Sequence, residues 1–137
     1  MFFYWEIIFS FIAYNNFTSE AGHLSFNEAE KIYNKLIFSA NHLDKEFQEY
    51  WHEFIVASLH YSQARGKWWT ISQDERREFD STRTTLHNKV IFQLKLLKGI
   101  IKESNGDTFW FDDITEDRKR IGDFACYVIY IYSVNTR

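Results

Sequence analysis

The chain has 137 residues, 45% of them hydrophobic and 20% aromatic, with a formal charge of −3 and a pI near 5.9. That much apolar material excludes a disordered chain, because each buried aromatic removes about 150–250 Å² from water. The mild negative charge gives no global attraction to nucleic acid or to anionic membrane, so both partner classes would need a local basic patch.

The opening segment, residues 1–14, is apolar apart from Glu6 and a few small or polar positions. It lacks the positive charge and small-residue cleavage site of a secretory signal, and it is shorter than the roughly 20 apolar residues that span a bilayer. As a helix it places Glu6, Ser10 and Ala13 on one narrow stripe, so most of its circumference needs cover. A helix packed into the core or against a second copy is expected, which makes self-association plausible.

Ser25 and Glu28 form a capping-box pattern that predicts a helix start. Ile32, Leu36, Leu43, Phe47, Tyr50, Phe54 and Tyr61 then recur at spacings of three, four and seven, the period of one helical face. The pattern predicts a single run to Gly66, about 38 residues or roughly 57 Å at 1.5 Å per residue. Trp51, Ile55 and Leu59 add a second apolar stripe, so the later half is expected to touch two neighbours. A loop carrying Trp68 and Trp69 follows.

Ser72 and Glu75 repeat the capping box, and Phe79, Leu86, Val90, Leu94, Leu97 and Ile101 carry a second long helix to the Asn105-Gly106 stop. Asp112 or Asp113 is the expected cap of a final helix that buries Ile121, Phe124, Val128 and Tyr132. Residues 127–132 have strand-like composition, but no other segment offers a partner strand, so a helix is predicted there. The chain has no proline and no linker-like composition. The expected architecture is all-α: one domain over residues 1–137, an antiparallel bundle of about four helices, two of them long, with an apolar N-terminal helix.

Acidic side chains carry the first candidate chemistry. His42, Glu46, Glu49 and Glu53 share a helical face, and Glu49 with His52 makes a Glu-x-x-His unit of the kind that binds metal in carboxylate bundles. A di-metal bundle needs a second such unit, and the sequence has none. The pairs Glu46/Glu49 and Glu75/Glu78, with Asp80, resemble the magnesium-holding acids of all-α nucleotide pyrophosphohydrolases. Arg76 and Arg77 interrupt the second pair, and the aspartate that usually ends the motif is missing. A solvated acidic face with no metal and no cofactor is the expectation; a magnesium-dependent nucleotide hydrolase is the alternative.

A second stripe, Arg76, Asp80, Arg83 and His87, runs at intervals of four, three and four beside the apolar face of the helix. Asp80 and Arg83 are expected to pair, and His87 to donate to Asp117 or Asp123 of the last helix. Trp68 and Trp69 sit among Arg65 and Lys67, with Arg118 to Arg120 adding charge, a composition that suits stacking on nucleic acid or docking on protein. No Gly-rich phosphate loop, paired-cysteine zinc motif or nucleophile elbow is present. The lone Cys126 lies in an apolar run, where a thiol usually packs, and points to a reducing, cytoplasmic setting.

Residues 83–91 and 117–127 resemble the two signature stretches of a family of small, uncharacterised all-helical proteins of Gram-positive bacteria and their phages. The resemblance implies that Arg83, His87, Asn88, Asp117, Arg118, Gly122 and Asp123 form one cluster between two helices; it implies no activity. Taken together, these features lead to the expectation of a non-enzymatic protein-binding module, of the kind a phage or mobile-element inhibitor of the anti-defence type would be. Its binding residues would be Trp68, Trp69, Arg76, Asp80, Arg83, His87, Arg118 and Asp123. A protein partner is expected, and nucleic acid is not.

Overall fold

A computed structural model describes residues 22–135. The apolar opening segment, and with it the expected N-terminal helix and its self-association, lies outside the described residues.

Ser25 starts the first helix, α1 (Phe26–His42), by accepting from the Glu28 backbone N–H at 3.2 Å while its own hydroxyl donates to the Glu28 carboxylate at 3.1 Å. The expected uninterrupted run to Gly66 does not occur. Leu43 and Asp44 are extended, Leu43 N–H closes α1 on the Ser39 carbonyl, and the Asp44 carboxylate accepts from Phe47 N–H at 3.2 Å to open α2 (Lys45–Trp68). An aspartate at the N-cap relieves one orphan donor and faces the positive end of the helix dipole, which together favour a new start over continuation. Apolar periodicity survives the break because both helices bury their stripes in the same core: Tyr33 of α1 meets Trp51 of α2 edge-on, with ring centroids 5.6 Å apart.

Gly66 does not end α2 either. It is buried within the helix, which runs on to Trp68, so Trp68 is helical rather than part of a loop. A short connection then leads to Ser72, whose capping box with Glu75 has both arms at 3.2 Å and opens α3 (Gln73–Glu103). Contacts between α2 and α3 run in opposite order along the two helices. Arg76 donates to the Trp68 carbonyl, and Tyr61 stacks on His87. The two helices therefore form a hairpin. At its far end Asn105 takes φ 60°, and Gly106 N–H returns to the Ile101 carbonyl at 2.8 Å. A Cβ on Gly106 would fall 2.6 Å from the Ile101 side chain, so this close return needs glycine.

A 3₁₀ turn (Phe109–Phe111) and a single helical turn, α4 (Asp112–Thr115), lead into α5 (Arg118–Asn135). Here the expected cap is corrected. Asp112 pairs with Lys98 of α3 at 3.1 Å, while Asp117 receives the backbone N–H groups of Lys119 at 2.9 Å and Arg120 at 3.3 Å. Asp117 stands directly before the helix and Asp112 a full turn too early, so only the later carboxylate meets the orphan donors of α5.

Residues 127–132 are helical, as predicted, and no strand occurs among the described residues. The core joins Leu36 of α1, Phe47 and Phe54 of α2, Leu94 and Leu97 of α3, Phe111 and Ile114 of the connection, and Phe124 and Val128 of α5. Phe54 and Phe124 stack across it at 5.9 Å, and full burial of each such side chain is worth about 1.5–3 kcal/mol. Among the described residues, no helix is long and apolar enough to cross a membrane.

Candidate functional site

Where α5 passes α2 and α3, the apolar core gives way to charge. Arg65 of α2 donates to Asp123 Oδ1 of α5 at 2.8 Å, and both side chains are almost fully buried. Asp123 Oδ2 accepts from the His23 backbone N–H at 3.0 Å, and Arg65 also points a nitrogen at Cys126 Sγ, 3.7 Å away. Each carboxylate oxygen thus has a donor, which a buried carboxylate requires. Burial pushes the Cys126 thiol up to about 11 even with the Arg65 charge beside it, so the sulfur stays a neutral thiol packed in the core.

One residue before Asp123, Gly122 lets two rings approach the α5 backbone. A Cβ there would lie 3.0 Å from the Tyr61 hydroxyl and 3.3 Å from His87 Nε2. Tyr61 and His87 stack with centroids 4.8 Å apart. His87 Nε2 lies 2.8 Å from the Arg118 carbonyl, an acceptor, so this nitrogen carries the proton and donates. The expected donation from His87 to Asp117 or Asp123 is therefore corrected. Asp117 is committed to the α5 cap and Asp123 to Arg65 and His23, leaving the Arg118 carbonyl as the acceptor within reach.

Burial lowers the His87 pKa below its ordinary value, the nearby guanidinium groups of Arg118, Arg65 and Arg83 lower it further, and the bond to the Arg118 carbonyl only partly opposes them. The Tyr61 hydroxyl is pushed up by burial, against the pull of Arg65 and Arg83. Arg118 in turn donates to Asn88 Oδ1 at 2.8 Å, tying the start of α5 to the middle of α3.

These side chains wall a cleft of about 300 Å³. Tyr61 and Arg65 come from α2, Asp80, Arg83 and His87 from α3, and Lys119 and Asp123 from α5. Beside the cleft stands a ladder of cations and indoles. Arg83 lies over the Trp68 ring at 4.9 Å, and Arg76 sits 5.7 Å from Trp68 and 5.4 Å from Trp69. Arg76 Nε donates to the Trp68 carbonyl at 2.7 Å, which fixes the guanidinium beneath the rings. Trp69 is 46% exposed.

The eight expected binding residues thus lie in one region, Asp123 buried beneath it. Trp69, Arg76, Trp68 and Arg83 form the ladder, Arg83, Asp80, His87 and Asp123 wall the cleft, and Arg118 closes its edge through His87. The sequence places Tyr61 only in the core stripe, counts Arg65 and Lys119 only as charge around the tryptophans, and gives no signal for His23. A further signal for Arg65 is its spacing of four from Tyr61, which puts it on the same apolar face.

The candidate magnesium ligands are not brought together. Glu46 and Glu49 lie near the start of α2, whereas Glu75 and Glu78 lie at the start of α3, beside the other end of α2 and roughly 27 Å away along a 1.5 Å rise per residue. All four are exposed. Among the described residues, no group of three or more His, Cys, Asp or Glu side chains could hold a metal ion. The chain matches no protein-family model, no curated protein and no solved structure.

Proposed function

We propose that the protein is a non-enzymatic, cytoplasmic protein-binding module that acts by covering a partner's surface, as an inhibitor or host-interaction protein of a phage or other mobile element would. The observation that carries this reading is the ladder of Trp69, Arg76, Trp68 and Arg83, with the Trp69 ring open to solvent and held from below by a guanidinium that is itself fixed to the Trp68 carbonyl. Tryptophan and arginine are the residue types enriched at binding hot spots, and a pre-ordered side chain loses less entropy on docking. The partner surface that suits this ladder carries an apolar socket for the indole with carboxylates around it, answering Arg76, Arg83 and the adjoining Lys67. The link to phages rests on the resemblance of residues 83–91 and 117–127.

The test is capture of the partner from the native host on immobilised full-length chain, followed by affinity measurement with the purified partner. Trp69→Ala is expected to weaken binding about thirtyfold, the effect of a hot-spot residue worth 2 kcal/mol. A quadruple Glu46→Gln, Glu49→Gln, Glu75→Gln, Glu78→Gln variant is expected to bind as the parent does. Unchanged affinity in Trp69→Ala, or its loss in the quadruple variant, would overturn the proposal.

A further inference from the structure

A groove of about 430 Å³ runs between α1 and the short turns that join α3 to α5, and it shares no residue with the tryptophan ladder. Its floor is apolar: Ile32 of α1 lies with Phe111 and Ile114 of the connection, all three almost fully buried. Half-buried Trp110 stands on one side. The other side is the outer face of α1, where Lys31, Asn34 and Lys35 follow one another at helical spacing and are exposed.

Charge around this groove is uneven. Arg120 on its rim is already answered, pairing with Glu28 at 3.1 Å and donating to the His23 carbonyl at 2.9 Å. Lys31 and Lys35 form no ion pair among the described residues, and the remaining carboxylate, exposed Asp113, pairs with neither. Two ammonium groups thus face one carboxylate, in a chain whose overall charge is −3. Lys35 is also positioned, with its Nζ 5.6 Å from the centroid of the Trp110 ring. Beyond the groove the surface stays apolar: Phe38, one turn past Lys35 on the same face of α1, is 63% exposed, and Phe109, next to Trp110, is 83% exposed.

We propose that this groove docks a short acidic segment of a partner protein, with one bulky apolar side chain against Trp110 and flanking carboxylates on Lys31 and Lys35. Charge complementarity selects the acids, and the indole with the lysine stems supplies the apolar contact. Asn34, whose side chain makes no hydrogen bond among the described residues, offers a donor and an acceptor to the main chain of such a segment. A single-stranded nucleic acid would satisfy the lysines but stacks its bases on open aromatic faces, and here Lys35 already covers a face of the indole. The groove and the tryptophan ladder are separate surfaces, so each stands or falls by itself.

The experiment is fluorescence anisotropy of a labelled hexapeptide, a leucine-phenylalanine pair with two aspartates on either side, titrated with the full chain at low salt. Saturable binding is expected. A peptide with the same aspartates around a glycine-serine pair, and an oligothymidylate, are each expected to bind at least tenfold more weakly. Trp110→Ala is expected to weaken binding of the first peptide about thirtyfold, as a hot-spot residue does. Lys31→Gln and Lys35→Gln, at exposed positions, are each expected to weaken it about fivefold, the upper range for one exposed ion pair. Lys95→Gln on α3 and Trp69→Ala in the ladder are expected to leave it unchanged. Should Trp110→Ala fail to fold, the two lysine variants decide. The proposal is overturned by the absence of saturation, by equal affinity for the glycine-serine peptide or the oligothymidylate, by affinity that persists in both lysine variants, or by its loss in Trp69→Ala.

Discussion

Arg65 and Asp123 meet at 2.8 Å in the seam of α2 and α5, with 4% and 1% of their side chains exposed; Arg77 and Asp74 meet at 3.0 Å on the outer face of the first turn of α3, with 76% and 90% exposed. The geometry is nearly the same, and the consequences are not. In the seam the carboxylate has no water to fall back on, so its stability depends on Arg65 and the His23 N–H together. On the outer face each group keeps its hydration when the other leaves. Among the described residues, a charged pair therefore carries most structural weight where helices close over it, as they do at the candidate site.

Four substitutions test that contrast. Arg65→Met, which keeps the apolar stem but leaves Asp123 buried and unpaired, is expected to destabilise the protein by about 3–5 kcal/mol in urea unfolding. Adding Asp123→Leu is expected to recover part of that loss, with the His23 N–H left as the remaining deficit. A double variant no more stable than the single one would mean that packing, not unpaired charge, dominates the seam.

The second effect is smaller and depends on pH. Burial and the surrounding guanidinium groups place the folded pKa of His87 below its unfolded value near 6.5, so the unfolded chain binds the extra proton first. The associated stability is whole above that value and declines as pH falls from it toward the folded pKa, then levels off. Comparing the pH dependence of urea midpoints in the parent and in His87→Gln isolates this contribution. The parent is expected to lose more stability below pH 6.5, and parallel curves would refute the assignment. The smallest effect belongs to Arg77→Met, expected within about 0.5 kcal/mol of the parent; a loss as large as that of Arg65→Met would remove the distinction between the two settings.

The helices were legible because their signals are local. Ser25 with Glu28 and Ser72 with Glu75 mark starts that the structure reproduces, and Asn105-Gly106 marks a stop. Asp44 was missed because apolar spacing runs unbroken across it; the same period arises from one helix or from two that share a core. Asp112 and Asp113 look like the cap of the last helix because they precede an apolar run, and only the position of Lys98 in three dimensions commits Asp112 elsewhere.

The candidate site divides in the same way. Arg76, Asp80, Arg83 and His87 lie on one helix at helical spacing, so their grouping is a local property. Arg65 and Asp123 are separated by 58 positions, and an arginine beside Lys67 reads as surface until α5 is known to cover it. The acceptor of His87 is a main-chain carbonyl, which no side-chain pattern announces.

Cys126, the chain's only cysteine, has its sulfur 3.7 Å from the Arg65 guanidinium and is closed off from solvent. That placement makes it a built-in reporter. A thiol-directed label added under native conditions can react only in those moments when α5 parts from α2, so the labelling rate counts openings of the very joint that holds the charged residues together, with no probe engineered into the protein.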